Sequence, residues 1–369
     1  MKVLWLANIP SPYRVDFFNE IGKHCELTVL FEKKVSDERD ESWMDYKFLN
    51  FKGVILKGKS TGVDNAFCPG VFNYLKKKKY DINIVTNYST PTGIFAIEIM
   101  KAKNISYIIE GDGGFTKSKK GVKENIKRHL IKNATYWFST SDKHKDYYLS
   151  YGAIEKNIYK YPFTSIKEKD ILKSSISKVQ KDKIKNKLRI KEERVILSVG
   201  QLIYRKGYDI LIEAAQKINN DIGIYIIGGN PSDELLALKK NLNVENVYFI
   251  DFKSKEELKN YYYSADLFVL PTREDIWGLV INEAMAYGLP VITTDKCISG
   301  LELVVNYENG FIIPTNDSLV LSEKITEIFE NNNLIEKMSK SNRVKIMEYT
   351  IESMAEVHLN YFKKILRNR

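Results

Sequence analysis

Cysteine is scarce in this chain. Cys25, Cys68 and Cys297 are far apart, odd in number and never in a C-x-x-C pair, so neither a disulfide framework nor a zinc site is supported and a reducing, cytoplasmic compartment is expected. Long hydrophobic runs are missing as well: none approaches the ~18 to 20 residues that span a bilayer. The opening MKVLWLANIPSP ends its short apolar stretch in two prolines, without a small-residue cleavage site, and reads as a first strand instead of a signal peptide. Nine prolines and twenty glycines leave no room for extensive disorder or a collagenous repeat.

What remains is ordinary globular material, 44% hydrophobic and 28% charged over 369 residues, enough for about two domains. The net charge of +10 is unevenly placed. Residues 1–190 carry 36 Lys and Arg against 21 Asp and Glu, whereas residues 191–369 carry 21 against 26. Either the first half meets something anionic, such as a membrane surface, a lipid phosphate or nucleic acid, or the lysines are a solvated surface. The basic runs Lys76 to Lys79 and Lys117 to Lys132 carry the same two readings. No helix-turn-helix, zinc or RNP signature supports a nucleic-acid partner.

Near-continuous apolar strands alternate with helical periods, the pattern of a parallel sheet covered on both faces. In the first half the strands are Val3 to Ala7, Leu27 to Phe31, Ile82 to Thr86, Ile105 to Glu110 and Tyr136 to Thr140. In the second they are Val195 to Gly200, Ile224 to Gly228, Val247 to Ile250, Leu267 to Pro271 and Val291 to Thr294. Two α/β domains follow, residues 1–165 and 193–350, with the lysine-rich stretch 166–192 as a linker or exposed helix. The apolar face of residues 351–369 is expected to pack back on the first domain. In such sheets ligands sit beyond the carboxyl ends of the strands, so two facing domains would enclose a cleft.

The most informative stretch is LPTREDIWGLVINEAMAYGLPVITTD, from Leu270 to Asp295. Its helix after Trp277 is apolar apart from Asn282 and Glu283, so Glu283 needs either a buried cation or a cleft where ligand hydroxyls satisfy it. At the head of that helix Gly278 admits a ligand closely, and the unpaired N–H groups of Gly278, Leu279 and Val280 form an anion site suited to a diphosphate. Asp275 lies three residues ahead of this tip. In ILSVGQLIYRKGYDILIEAAQ, from Ile196 to Gln216, a strand ends at Gly200 and Gln201, and its loop presents Arg205 and Lys206. Adjacent cations there suit phosphate oxygens, although a solvated loop pair is the plainer reading. In the first domain Tyr13 and Arg14, after the first strand, and Asp112 and Gly113, in EGDGG, are the cleft candidates. For EGDGG a tight glycine turn is an equal alternative.

Taken in order, G-x-L-x-x-x-K-G-x-D-x-L-I-x-A, the turn at Ile227 to Gly229, and SADLFVLPTREDIWGLVINEAMAYGLPVI resemble the retaining glycosyltransferases of family four, group one, with the GT-B fold. The match covers most of residues 193–345 and continues through Gly300, Glu302 and NGFIIP (Asn309 to Pro314). The fold implied is α/β, two Rossmann-like domains with parallel sheets facing across a cleft. The resemblance implies that Lys206, helped by Arg205, neutralises the donor diphosphate, that Glu283 holds the ribose hydroxyls, and that Asp275 meets the donor sugar. Two departures stand out. Asp275 replaces the first glutamate of E-x7-E, with Glu274 beside it out of register, and Gln201 replaces the usual arginine of G-R-L. No D-x-D motif is present, consistent with the metal-independent chemistry and absent cofactor that the resemblance implies. The implied substrates are a nucleotide sugar, UDP favoured over GDP, and a saccharide or lipid-linked acceptor of cell-surface polysaccharide synthesis. The implied place is the cytoplasm, with reversible contact at the inner face of the membrane.

Other classes compete weakly. Gly53 to Ser60 satisfies the P-loop pattern, but Val54, Ile55 and Leu56 are strand-like where a flexible loop leading to a helix is needed. Gly111 to Thr116 lacks the third glycine of a dinucleotide fingerprint. A sugar-nucleotide epimerase of the same fold is the enzymatic rival.

Overall fold

Runs of Val, Ile, Leu and Phe build two parallel sheets, each buried on both faces. The computed structural model describes residues 1–35, 46–116 and 121–368, so Lys117, Lys119 and Lys120 of the second basic run lie outside the described residues. The chain divides into two units, Met1–Ser165 with Thr350–Arg369, and Ile166–Tyr349.

The first unit holds strands β1 (Lys2–Ala7), β2 (Glu26–Phe31), β3 (Lys52–Ile55), β4 (Lys59–Gly62), β5 (Asn65–Phe67), β6 (Ile82–Val85), β7 (Ile108–Glu110), β8 (Tyr136–Ser139) and β9 (Ile158–Lys160). Its helices are α1 (Pro12–Ile21), α2 (Pro91–Ala102), α3 (Val122–Lys132) and α4 (Asp142–Ser150). Seven strands form one parallel sheet in the order β3-β2-β1-β6-β7-β8-β9, and β4 and β5 form a separate antiparallel ribbon. The order reverses between β1 and β6.

The second unit contains β10 (Arg194–Val199), β11 (Ile222–Ile227), β12 (Val247–Ile250), β13 (Leu267–Leu270), β14 (Val291–Thr294) and β15 (Gly310–Ile313). They pair in parallel in the order β12-β11-β10-β13-β14-β15, with the reversal between β10 and β13. Its helices are α5 (Lys178–Leu188), α6 (Tyr208–Ala215), α7 (Asp233–Asn241), α8 (Lys255–Ser264), α9 (Leu279–Ala286), α10 (Ile298–Leu303), α11 (Ser318–Phe329) and α12 (Asn332–Ile346). A ligand crevice belongs where the strand order reverses, and the loops that carry Lys206 and Asp275 leave the sheet at that point.

Two sequence expectations change. First, the stretch 166–192, expected as a linker or exposed helix, belongs to the second unit and contains the mostly exposed helix α5, two of whose lysines find partners there. A Ser177–Gln180 capping box starts α5, which packs on α8. Lys181 Nζ donates to the Ala265 carbonyl at 2.7 Å and to Asp266 at 2.5 Å, and Lys185 Nζ to the Glu193 carbonyl at 2.6 Å. Second, β3, β9, β15 and the β4–β5 ribbon add strands outside the expected set. The P-loop pattern lies on strands, in keeping with the strand-like run Val54 to Leu56: Gly53 pairs with Val29 inside the first sheet and Lys59 and Ser60 lie in the ribbon.

The final helix, α13 (Ile351–Arg367), joins the first unit and packs on α1. Its Phe362 and His358 meet Trp5 and Phe138 in an aromatic core, with ring centroids 5.2–6.4 Å apart. No helix among the described residues is long and apolar enough to cross a membrane.

One buried histidine makes the first unit pH-sensitive. His144 is buried in α4, its Nδ1 accepting the Thr140 N–H at 3.2 Å and its ring 4.3 Å from that of Tyr148. Burial pushes its pKa down to about 3 against the opposing pull of Glu110, whereas the unfolded chain titrates near ~6.5. The ring is therefore neutral in the fold, and its contribution is complete above the unfolded value and lost as pH falls toward the folded one. Calorimetry at pH 7 and 5 is expected to show wild type losing stability by about 1.4 kcal/mol per pH unit below ~6.5 from this group, and His144→Gln losing measurably less.

Candidate active site

The loop after β10 turns through a short helical segment, Tyr204–Lys206, and enters α6 at Gly207. Gly207 has φ 69°, and a β-carbon there would lie 2.1 Å from the Pro271 carbonyl oxygen. Only glycine lets this loop lie against the end of β13. Further bonds lace the two loops together. The Arg273 N–H and the Thr272 hydroxyl donate to the Arg205 carbonyl at 2.8 and 2.9 Å, and Arg273 forks onto Asp209 at 2.8 and 2.6 Å. The Arg273 guanidinium also lies 4.0 Å from the Tyr204 ring centroid.

Held this way, Lys206 meets Asp275. Its ammonium donates to Oδ2 at 2.5 Å, and Lys206 and Asp275 are only 9% and 8% exposed. Arg205 stays exposed, its guanidinium 3.6 Å from Asp275 Oδ1 and donating to the Glu274 carbonyl at 2.6 Å. Arg205, Lys206, Glu274 and Asp275 therefore form one cluster at the strand-order reversal. The expected solvated loop pair does not describe Lys206, and Asp275 is turned toward the cations instead of standing open. Gly200 and Gln201 open the same loop: the Gly200 N–H donates to the Ile227 carbonyl at 2.9 Å, and Gln201 is exposed.

The helix α9 begins directly after Gly278, whose φ of 94° is left-handed. A β-carbon there would stand 3.1 Å from Cys297 Sγ and 3.2 Å from Ser299 Oγ. Gly278 is thus required by its backbone and by packing from α10's first turn, not, as expected, to admit a ligand on that side. The first-turn N–H groups of Leu279 and Val280 have no intrahelical acceptor by construction. Although this helix is apolar apart from Asn282 and Glu283, it is not buried all round. Ile281, Asn282, Ala284, Met285 and Ala286 are buried, but Leu279, Val280, Glu283 and Tyr287 form a half-buried stripe at three- and four-residue spacing. Glu283 stands on this stripe and accepts the Tyr262 hydroxyl at 2.9 Å. Asn282 is accounted for by the Trp277 indole N–H, which donates to its side chain at 2.9 Å.

In the first unit the structure places Arg14 in the interior. Its guanidinium donates to Glu110 at 2.6 Å and to Asp112, and Glu110, fully buried, also faces His358 Nε2 at 3.3 Å. Arg14 and His358 hold the Glu110 carboxyl below its usual pKa despite burial. Arg14 is therefore committed to an internal network, unlike the cleft-facing cation expected. Tyr13 is half-buried with its ring edge-on to Phe163, and Gly113 follows Asp112 with φ 147°. Sequence reasoning missed Tyr262, Arg273 and His358. Helical spacing could have flagged Tyr262, but nothing local to Arg273 or His358 names partners 64 and 248 residues away.

Residues 180–345 match the profile of the family "Glycosyl transferases group 1". The chain carries a group 1 glycosyltransferase domain. The domain is 34% identical over 178 residues to a glycosyltransferase of Haemophilus influenzae, 47% of this chain and half the length of that relative. At 21% identity the chain aligns over 96% of its length, and all of the other's, with the N,N'-diacetylbacillosaminyl-diphospho-undecaprenol alpha-1,3-N-acetylgalactosaminyltransferase of Campylobacter jejuni. In fold it is similar to Anabaena HepE, solved in complex with UDP, with a TM-score of 0.80 at 15% identity over 99% of this chain and all of that one. The GT-B architecture is therefore shared along the whole chain, and the group 1 domain contains the Lys206 and Asp275 cluster together with α9.

The buried pair predicts a stability signature. Lys206→Met strands the Asp275 carboxylate next to the partly exposed Arg205, and is expected to cost roughly 3 kcal/mol, as removal of one partner of a buried pair does. Denaturant titration should show most of that loss restored in the double variant Lys206→Met with Asp275→Asn. Equal losses in the single and double variants would contradict the pairing.

Proposed function

We propose that this protein is a retaining, metal-independent glycosyltransferase that moves a sugar from a nucleotide diphosphate sugar, UDP favoured, to a saccharide or lipid-linked saccharide acceptor in cell-surface polysaccharide synthesis. The observation that carries the reading is the meeting of a buried lysine, an exposed arginine and a carboxylate where the strand order of the group 1 domain reverses. In this reading the donor diphosphate lies against Gly200, Gln201 and the first-turn amides of Gly278, Leu279 and Val280, with Lys206 and Arg205 on its oxygens. Asp275 keeps the lysine in place before the donor arrives and meets the donor sugar once phosphate takes the ammonium, with Glu274 beside it. Glu283 binds the ribose hydroxyls. The first unit, with Tyr13, Asp112 and Gly113, serves the acceptor.

As the bond from the anomeric carbon to the diphosphate oxygen breaks, negative charge grows on the leaving group, and fixed cations and amides stabilise it more than they stabilise the intact donor. The acceptor hydroxyl attacks the same face of the anomeric carbon. Its proton passes to the departing phosphate, so no protein nucleophile is consumed and the configuration is retained. The UDP of the HepE complex supports a uridine donor, and the diphospho-undecaprenol in the Campylobacter enzyme's name supports a lipid-linked acceptor.

The reading is tested by supplying UDP- and GDP-sugars with and without undecaprenyl-diphosphate-linked saccharides. The expected result is nucleoside diphosphate release only with acceptor present, an α-linked product from an α-linked donor, and no loss on chelation. Lys206→Ala should lower kcat by roughly 10²–10³-fold. Conversion of the donor sugar without acceptor would instead identify an epimerase.

The lysines Lys76 to Lys79 are all exposed, and α3 shows Val122 and Ile126 to solvent among Lys123 and Arg128. At about 1 kcal/mol for each basic residue near an anionic leaflet, a handful suffices for reversible attachment. Co-sedimentation with vesicles containing phosphatidylglycerol is expected, weakening when all four lysines of 76–79 become glutamate; retention of full binding by that variant would remove the run from the contact.

A further inference from the structure

Tyr262 lies outside the sequence motifs, yet its hydroxyl donates at 2.9 Å to the carboxylate on the half-buried stripe of α9. The ring is 3% exposed and cannot swing away. It stacks on Tyr287 with centroids 4.9 Å apart and planes 2° from parallel, and lies 6.2 Å from Phe268 of β13. Tyr263 also meets Tyr287, edge-on with centroids 5.2 Å apart. The backbone beneath is fixed from both ends. A Ser254–Glu257 capping box starts α8, and Lys181 of α5 holds the carbonyl of Ala265, the residue that ends it.

From this geometry we infer that Tyr262 is a positioning residue for Glu283, orienting the carboxylate toward the nucleoside part of the donor. The inference rests on the nucleotide-sugar reading above and deepens it. A glutamate has three side-chain torsions, and at a half-buried position it samples several rotamers whose entropy is lost when it binds. A rigid phenol donating to Oε2 removes part of that freedom in advance and fixes the plane in which the carboxylate accepts hydrogen bonds. Burial and the charge of Glu283 push the Tyr262 pKa up, so the phenol is a donor at neutral pH. The arrangement separates two tasks. Lys206 and Arg205 recognise phosphate, and the Tyr262–Glu283 couple recognises the sugar hydroxyls of the nucleoside.

The test is Tyr262→Phe, which keeps the stacked ring and removes only the hydroxyl. Calorimetric titration of the full chain with UDP, GDP and inorganic pyrophosphate reads the two tasks apart. For the nucleoside diphosphate that wild type binds, the variant should bind about tenfold more weakly, the scale of a hydrogen bond to a charged group. Pyrophosphate affinity should stay within twofold, KM for the nucleotide sugar should rise, and kcat should change little. Added to Glu283→Ala, the substitution should weaken nucleotide binding no further. Wild-type affinity in Tyr262→Phe would overturn the inference while leaving the nucleotide-sugar reading intact. Equal loss of pyrophosphate and nucleotide would overturn it too, as the mark of a general collapse. A wild-type protein that binds pyrophosphate but neither nucleotide would sink the donor reading itself, and the inference with it.

Discussion

The second unit is organised around one buried ion pair. Taking an ammonium and a carboxylate out of water costs several kcal/mol for each, and their attraction compensates only when geometry is good and the remaining atoms are satisfied. Lys206 and Asp275 meet at 2.5 Å with Arg205 close behind, and the loops bearing them are tied by Thr272, Arg273 and the close approach at Gly207. The pair fixes the distance between two loops that leave neighbouring strands β10 and β13, and so sets where positive charge stands at the crevice. Without it Thr272 and Arg273 would still tie the loops, but the lysine would have no carboxylate holding it at the crevice.

The first unit solves a similar problem differently. Arg14, at the start of α1, is neutralised by Glu110 at the end of β7 and by Asp112 beyond it, and His358 of α13 reaches the same glutamate. Three elements distant in sequence are pinned at one fully buried carboxylate. An unpaired charge at that depth is costly, so the loop after β1, the EGDGG loop and the final helix take their places together. The same network explains why Thr350–Arg369 returns to the first unit after the chain has completed the second. Its aromatic stripe supplies area, and His358 supplies a polar contact that a generic apolar helix would lack.

Much of this was legible in the chain itself. Strands buried on both faces read as apolar runs, and all ten expected runs are strands or overlap them. The helix after Trp277 singles out Glu283, because a carboxylate on a greasy helix is improbable without a reason, whereas Lys206 and Asp275 draw notice through the resemblance. What local reading cannot supply is partnership. Lys206 and Arg205 have the composition of a solvated loop, and only the fold brings a carboxylate 69 residues away against them. The three-residue β9, IYK, carries too few apolar positions to stand out, whereas β15, GFII, is apolar but reads only as part of the NGFIIP motif. The lysines of α5 looked like linker because their carbonyl partners near Ala265 and Glu193 are set by tertiary packing, not by pattern.

The substitution of aspartate for the first glutamate of E-x7-E gains a physical meaning from this. A carboxylate one methylene shorter sits closer to its own backbone, and the Asp275 backbone is held by its N–H to the Lys296 carbonyl at 2.8 Å and by the Ile298 N–H to its own carbonyl at 3.1 Å. Anchored on both sides, the short side chain is drawn into the cations instead of extending over them. Glu283, eight residues on, has the longer reach and a phenol to steady it. The two acids of one motif thus stand in different surroundings, one 8% exposed among cations and one half-buried beside a tyrosine. Spacing alone would treat them as equivalent; burial and partners tell them apart, the first paired with cations and the second bonded to a phenol.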